Sequence, residues 1–234
     1  MLVCEDVWSP DLALELQEQG AEILIVINAS PFEIGKMQSR YEVARAAVQA
    51  SNLPLVYVNL VGGQDDIVFD GGSFALAADG KITAQLLQFE EIVCVIPSVA
   101  EGYALKKGDT STALRFAQDD KWQLWSAMKL GLTDYVGKNG FKGVLLGLSG
   151  GIDSAVTAAL AVDALGANQV RGVLLPSPYS SKDSNEDALE LAKNLGIHTD
   201  TISITPAMEV MEELLNPVFK DAVWMENVAI GGNI

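Results

Sequence analysis

The chain is poor in the residues that most often carry chemistry. Its 234 residues include one histidine, His198, and two cysteines, Cys4 and Cys94. A single imidazole makes a histidine-based metal centre or a Ser-His-Asp triad hard to build. Two thiols so far apart form no disulfide framework and fit a reducing cytoplasm. Basic residues are scarce: 15 Lys and Arg against 31 Asp and Glu give a formal charge of −16 and a pI near 4.3. Such a surface repels phosphate backbones, which excludes a general nucleic-acid binder. An anionic small ligand remains acceptable where backbone amides and a cation supply local positive potential. Long apolar runs are missing too. Mean hydropathy is +0.23, yet no stretch nears the ~20 residues of a membrane helix. Ile23 to Ile27 and Val144 to Leu146 have the length of buried strands. The opening Met1 to Asp6 has neither a basic n-region nor a long h-region and is read as no signal peptide.

What the chain does have is enough apolar content, 49% hydrophobic against 20% charged, to bury a core. Residues 1–97 and 122–234 read as two α/β blocks, with a polar connector over 98–121. In the first, Met1 to Val3 runs as a strand into Cys4. Ser9-Pro10 then opens a short helix carrying Leu12, Leu14 and Leu16, which Gly20 stops. Glu22 to Ile27 is a continuous apolar strand, as expected in a sheet covered on both faces. A helix over Lys36 to Ala50 and a strand over Pro54 to Leu60 follow. Short strands at Ile67 to Phe69, Ser73 to Ala77 and Ile82 to Leu87 come next, with a hairpin turn at Ala78 to Lys81. Glu91 to Ile96 closes the block, with Cys94 expected in the core.

The second block opens with a helix from Trp122 to about Asn139 and then alternates at a fixed spacing. Strands at Gly143 to Leu148, Val170 to Leu175 and Thr199 to Ile204 precede helices at Ile152 to Leu165, Asp183 to Leu195 and Ala207 to Leu215. That alternation predicts a doubly wound parallel sheet. His198, after Gly196, is expected at the surface or a sheet edge.

The most specific signal is Gly147-Leu148-Ser149-Gly150-Gly151-Ile152-Asp153-Ser154, between a greasy strand and an alanine-rich helix. Two glycines let the backbone turn sharply and approach a ligand. The helix start aims unpaired N–H groups at one point, which makes a phosphate or pyrophosphate site. Ser149 and Ser154 add hydroxyls. Asp153 repels phosphate unless a cation lies between them, so it reads as a Mg²⁺ ligand. The segment is neither a Walker A loop nor G-x-G-x-x-G. The plain alternative is a Gly-rich turn with no ligand, but two serines and an acid at the helix start exceed turn chemistry. Cys4 sits at a strand-to-helix elbow, a place that exposes a nucleophile and offers amides to an oxyanion. On spacing alone it reads more readily as a small buried residue.

The loop resembles the Ser-Gly-Gly-x-Asp-Ser signature of the ATP pyrophosphatase (PP-loop) family, in which it holds the pyrophosphate of ATP during adenylylation. Cys4-Glu5-Asp6-Val7-Trp8, Asn28 to Phe32, Gly35-Lys36, Arg40 and Tyr57 to Phe74 resemble the nitrilase-like glutaminase domain of glutamine-dependent NAD synthetases. Gly131 to Tyr135 and Pro176 to Ser181 extend the resemblance over nearly the whole chain. It implies the C-terminal part of a nitrilase-like α/β sandwich followed by the first part of a PP-loop domain. It further implies Cys4 as nucleophile of a Glu–Lys–Cys triad, and Ser30 and Lys36 as glutamine-binding residues. Read without it, Ser30-Pro31 is an ordinary loop and Lys36 a solvated surface lysine. The implied substrates are deamido-NAD, ATP with Mg²⁺, and glutamine, in a cytoplasmic homo-oligomer that contacts neither nucleic acid nor membrane. The family's triad Glu and Lys precede the cysteine, and its nucleotide-binding segments follow Ile234. A fragment cut at both ends, inactive alone, is therefore expected. Another PP-loop amidotransferase and a non-catalytic nucleotide-binding module are the alternatives.

Overall fold

The structure, a computed structural model, describes residues 1–94 and 120–219. Almost all of the connector read over 98–121, Val95 and Ile96, and the chain from residue 220 onward lie outside the described residues. Contacts divide the chain after Asn139 into two compact units.

The first unit is built on a five-stranded sheet. Strands β1 (Leu2–Val3), β2 (Leu24–Asn28) and β3 (Leu55–Asn59) run parallel, and β6 (Phe74–Leu76) and β7 (Ile82–Gln85) add to β3 as an antiparallel hairpin. Helices α1 (Pro10–Glu18) and α2 (Lys36–Ser51) supply the connections between the parallel strands. Helix α2 buries Arg40, Ala44, Ala47, Val48 and Ser51, one stripe at helical spacing. It ends at Asn52, whose φ of 53° is left-handed. Alternate strand residues, Leu2, Leu24, Val26, Leu55, Tyr57 and Phe74, meet this stripe and Ala13 in the core. Each large apolar side chain so buried contributes about 1.5–3 kcal/mol. Strands β4 (Val61–Gln64) and β5 (Ile67–Asp70) form a separate antiparallel hairpin. The pattern hides β4 because its two central residues are glycines. Helix α3 (Asp120–Lys138) lies against that hairpin: Asp134 Oδ2 accepts from the Gly63 amide at 2.7 Å, and Lys138 Nζ donates to the Gly63 carbonyl.

Two expectations for this unit fail. Strand β2 alternates, with Leu24 and Val26 buried and Ile25 and Ile27 exposed; Val3 and Val58 are exposed beside them. Among the described residues the sheet is covered on its helix side only. Cys94 is exposed, not core: residues 91–94 leave the sheet without regular structure, and Val93 beside it is almost fully exposed.

The second unit carries three parallel strands in the order β10-β9-β8: β8 (Val144–Gly147), β9 (Val170–Leu174) and β10 (His198–Thr201). Helices α4 (Ile152–Leu165) and α5 (Lys182–Leu195) connect them, and α6 (Thr205–Phe219) follows. Both crossovers progress in one direction, so their common hand puts α4 and α5 on one face, against each other. His198 begins β10 and is exposed, 3.6 Å from Asp200. Among the described residues no helix is long and apolar enough to cross a membrane.

Candidate functional site

The carboxyl ends of parallel strands collect loops and ligands, and both units follow this rule. In the first, Cys4 stands directly after β1, whose Val3 pairs with Ile27 of β2. It is exposed and opens a 3-10 turn, Cys4–Trp8, with a φ of 52°. A left-handed backbone at a non-glycine residue is strained, and such strain gathers at functional positions. The Asp6 carboxylate accepts the Val3 amide at 2.9 Å, which stabilises the tight turn beneath the thiol. Among the described residues no hydrogen bond reaches the Cys4 sulfur.

Ser30 lies in the loop after β2, and a buried polar network fixes it. Its amide donates to Asn59 Oδ1 at 2.9 Å. Its hydroxyl accepts from Arg40 Nε and Nη2, each at 3.2 Å, and its carbonyl accepts from Arg40 Nη2 at 2.9 Å. The same Nη2 reaches the Pro31 carbonyl at 3.2 Å. Arg40 is 2% exposed and holds Asp70, also 2% exposed, through two bonds of 2.9 and 2.8 Å. Gln88 Nε2 adds a third bond to Asp70 at 2.6 Å. Tyr57 faces the same cluster. Burial pushes its phenol above the ordinary range, opposed by the Arg40 charge and a hydrogen bond with Ser30, while Cys4 is among the nearby charges that add to the rise.

Lys36 is the first residue of α2, after Gly35 with a φ of 79°. Its ammonium meets Glu33 at 3.2 Å and is partly exposed. A cation in the first turn opposes the helix dipole, and no acidic residue occupies that turn to offset it.

In the second unit the loop from Gly147 to Ser154 joins β8 to α4. Leu148 is buried and anchors the strand end; Ser149, Gly151, Ile152 and Asp153 are exposed. Gly150 has a φ of 77°, and a Cβ there meets the Ser184 carbonyl oxygen at 2.2 Å. The loop therefore lies directly on the first turn of α5, whose N-cap Ser181 accepts from the Ser184 amide. Two helix N-termini, those of α4 and α5, thus converge on one loop. The Ser154 hydroxyl donates to the Gly151 carbonyl at 2.9 Å and lies 3.2 Å from the Ser149 hydroxyl, and the Gly151 amide donates to Ser149 Oγ. The amides of Ile152 to Ser154 have no helical acceptor, as at any helix start. An open pocket beside them is lined by Gly150, Gly151, Ile152, Ala155, Asp187 and Leu191. Among the described residues no group of three His, Cys, Asp or Glu side chains could hold a metal ion.

The structure brings Ser30 into one network with Arg40, Asn59 and Asp70, and brings the loop residues 147–154 together around one helix start. The sequence reading gave Arg40 and Asp70 no role. A signal was available: Arg40 precedes Ala44, Ala47 and Val48 on one apolar stripe, and a cation there demands a buried partner.

The carbon-nitrogen hydrolase family matches residues 1–101 and the NAD synthase family matches residues 124–230. A glutamine-dependent NAD(+) synthetase of Synechocystis is 42% identical over 234 residues, covering 94% of this chain and 41% of that protein. One from Rhodobacter capsulatus is 46% identical over 216 residues, 91% of this chain and 38% of that protein. The solved glutamine-dependent NAD+ synthetase of Acinetobacter baumannii, in complex with ADP, superposes with a TM-score of 0.78 at 36% identity, over 94% of this chain and 41% of that one. The chain spans about two-fifths of the length of these relatives. The chain thus matches a carbon-nitrogen hydrolase segment followed by an NAD synthase segment, and over that stretch it is similar to these glutamine-dependent NAD(+) synthetases.

Proposed function

We propose that the protein carrying this chain amidates deamido-NAD to NAD, using ATP and an ammonia released from glutamine. One observation carries the reading. The chain joins a thiol on a strained, exposed elbow to a glycine loop packed on two helix N-termini. The first suits acyl transfer from an amide and the second suits a pyrophosphate.

In this reading the Cys4 sulfur attacks the glutamine carboxamide carbon, ammonia leaves, and water then hydrolyses the thioester to glutamate and free thiol. Ser30 and Lys36 hold glutamine. Residue 36 needs a cation in spite of the helix dipole, and a substrate carboxylate gives it a reason to be there. The nicotinate carboxylate attacks the α-phosphorus of ATP, and pyrophosphate leaves along the Gly147–Ser154 amides and hydroxyls. Ammonia displaces AMP. The exposed Asp153 side chain, whose carboxylate has no partner among the described residues, would hold a Mg²⁺. That ion neutralises phosphate charge when bound. Residues 1–97 form the glutaminase part, 98–121 the connector and 122–234 the synthetase part of a cytoplasmic homo-oligomer. The test is oxygen transfer: deamido-NAD labelled with ¹⁸O in its carboxylate is expected to yield AMP carrying one ¹⁸O. AMP without label contradicts adenylylation of that carboxylate.

A further inference from the structure

We propose that Arg40, held by Asp70, is the positioning residue that sets Ser30 for an amide substrate bearing an α-carboxylate. The inference rests on the glutamine reading of the Cys4 site and deepens it.

A loop residue that must meet a substrate within a few tenths of an ångström needs a rigid support. The Ser30–Pro31 loop receives four of its hydrogen bonds from the Arg40 guanidinium, at 2.9 to 3.2 Å. They engage the Ser30 hydroxyl oxygen, its carbonyl and the next carbonyl. Because the Ser30 hydroxyl accepts from two N–H groups, its own proton is left to point away from Arg40, towards a substrate or the Tyr57 phenol. The guanidinium is in turn aimed by the two-pronged bond to Asp70, a geometry that Lys cannot reproduce. Asp70 belongs to β5, whose neighbours also grip the loop: Val68 accepts the Phe32 amide at 2.7 Å, and Phe69 bridges Pro31. A purely structural ion pair gains nothing from being spent on one exposed-side loop, and a buried pair is seldom better for stability than apolar packing. The pair's bonds instead converge on Ser30, in the loop that follows β2, the strand paired with the one that Cys4 follows.

The test compares two reagents on one thiol in this chain. A glutamine analogue that keeps its α-carboxylate and carries a chloromethyl ketone in place of the side-chain carboxamide, and iodoacetamide, both alkylate Cys4, its sulfur displacing chloride or iodide. Only the first needs the substrate pocket. Their rates are read by mass spectrometry for wild type, Asp70→Asn, Arg40→Lys and Gln88→Leu. The last removes one bond to Asp70 and also removes Gln88 Oε1, which is buried without a partner, so its fold is retained. The expected result is that Asp70→Asn and Arg40→Lys lower the ketone's second-order rate at least tenfold, and Gln88→Leu at least threefold, with iodoacetamide rates within twofold of wild type. Unchanged ketone rates overturn the proposal. Parallel changes with both reagents also overturn it, since the pair then shapes the whole unit. A wild-type chain whose ketone reaction does not saturate and is not slowed by glutamine removes the glutamine reading, and this inference with it.

Discussion

Replacing Gly150 with alanine tests the phosphate loop where its geometry is least forgiving. An alanine at a φ of 77° bears roughly 1–2 kcal/mol of backbone strain. Its Cβ would lie 2.2 Å from the Ser184 oxygen and 2.8 Å from the Ser184 carbonyl carbon and Cα. All three are backbone atoms at the start of α5, so no side chain can swing aside. Relief requires the loop and α5 to separate by about an ångström, a displacement that misaims the amides at the α4 start. Strain plus lost contacts sum to roughly 2–4 kcal/mol, and at about 1.4 kcal/mol per decade that is a roughly 30- to 700-fold loss of nucleotide affinity. Gly147→Ala is the control for the fold: its Cβ meets nothing within 4 Å and its φ is ordinary, so stability changes by less than about 0.5 kcal/mol. Titration calorimetry with ATP and Mg²⁺, beside urea melts of the same variants, separates binding from folding. ATP affinity of Gly150→Ala within threefold of wild type refutes the reasoning.

Three other outcomes follow from the first unit. The 234-residue polypeptide alone is expected to release no ammonia from glutamine, because no base among the described residues contacts the Cys4 thiol; steady release abolished by Cys4→Ala contradicts this. Burial pushes the Tyr41 phenol up to about 12, with Arg45 opposing. The folded form thus holds that proton more tightly than the unfolded chain, so the contribution is complete below about pH 10 and is lost as pH rises through 12; the tyrosinate absorbance should show a late transition that Tyr41→Phe removes, and a single transition near 10 for all tyrosines opposes it. Asp134→Ala leaves the Gly63 amide without its acceptor, at about 1–3 kcal/mol, so hydrogen exchange at Gly63 should accelerate tenfold or more, and an unchanged rate contradicts the helix–hairpin contact.

Regular periodicity carried most of the architecture. Helix α4 has the bounds its alanine-rich pattern indicates, and the βα alternation gives the parallel β10-β9-β8 sheet. Glycines hid β4, since Gly62 and Gly63 have no side chains to alternate. The apolar run at Ile23 to Ile27 implied two covered faces, but hydropathy reports only what a strand tolerates, and Ile25 and Ile27 are exposed. Cys94 misled for the same reason: apolar neighbours do not bury a segment that leaves the sheet. The turn at Ser149-Gly150-Gly151 was legible because two glycines before a helix start are a local signal. The Arg40–Asp70 pair was not, because it joins residues of a helix and a hairpin that only folding brings together.

In the proposed reaction, nitrogen released at Cys4 ends in NAD. The direct measurement supplies the protein from its native source with [amide-¹⁵N]glutamine, deamido-NAD, ATP and Mg²⁺, in the presence of unlabelled ammonia. NAD labelled with ¹⁵N in its carboxamide is expected, and in the Cys4→Ala variant unlabelled NAD formed from free ammonia alone. Labelled NAD from Cys4→Ala, or wild-type NAD without label, contradicts it.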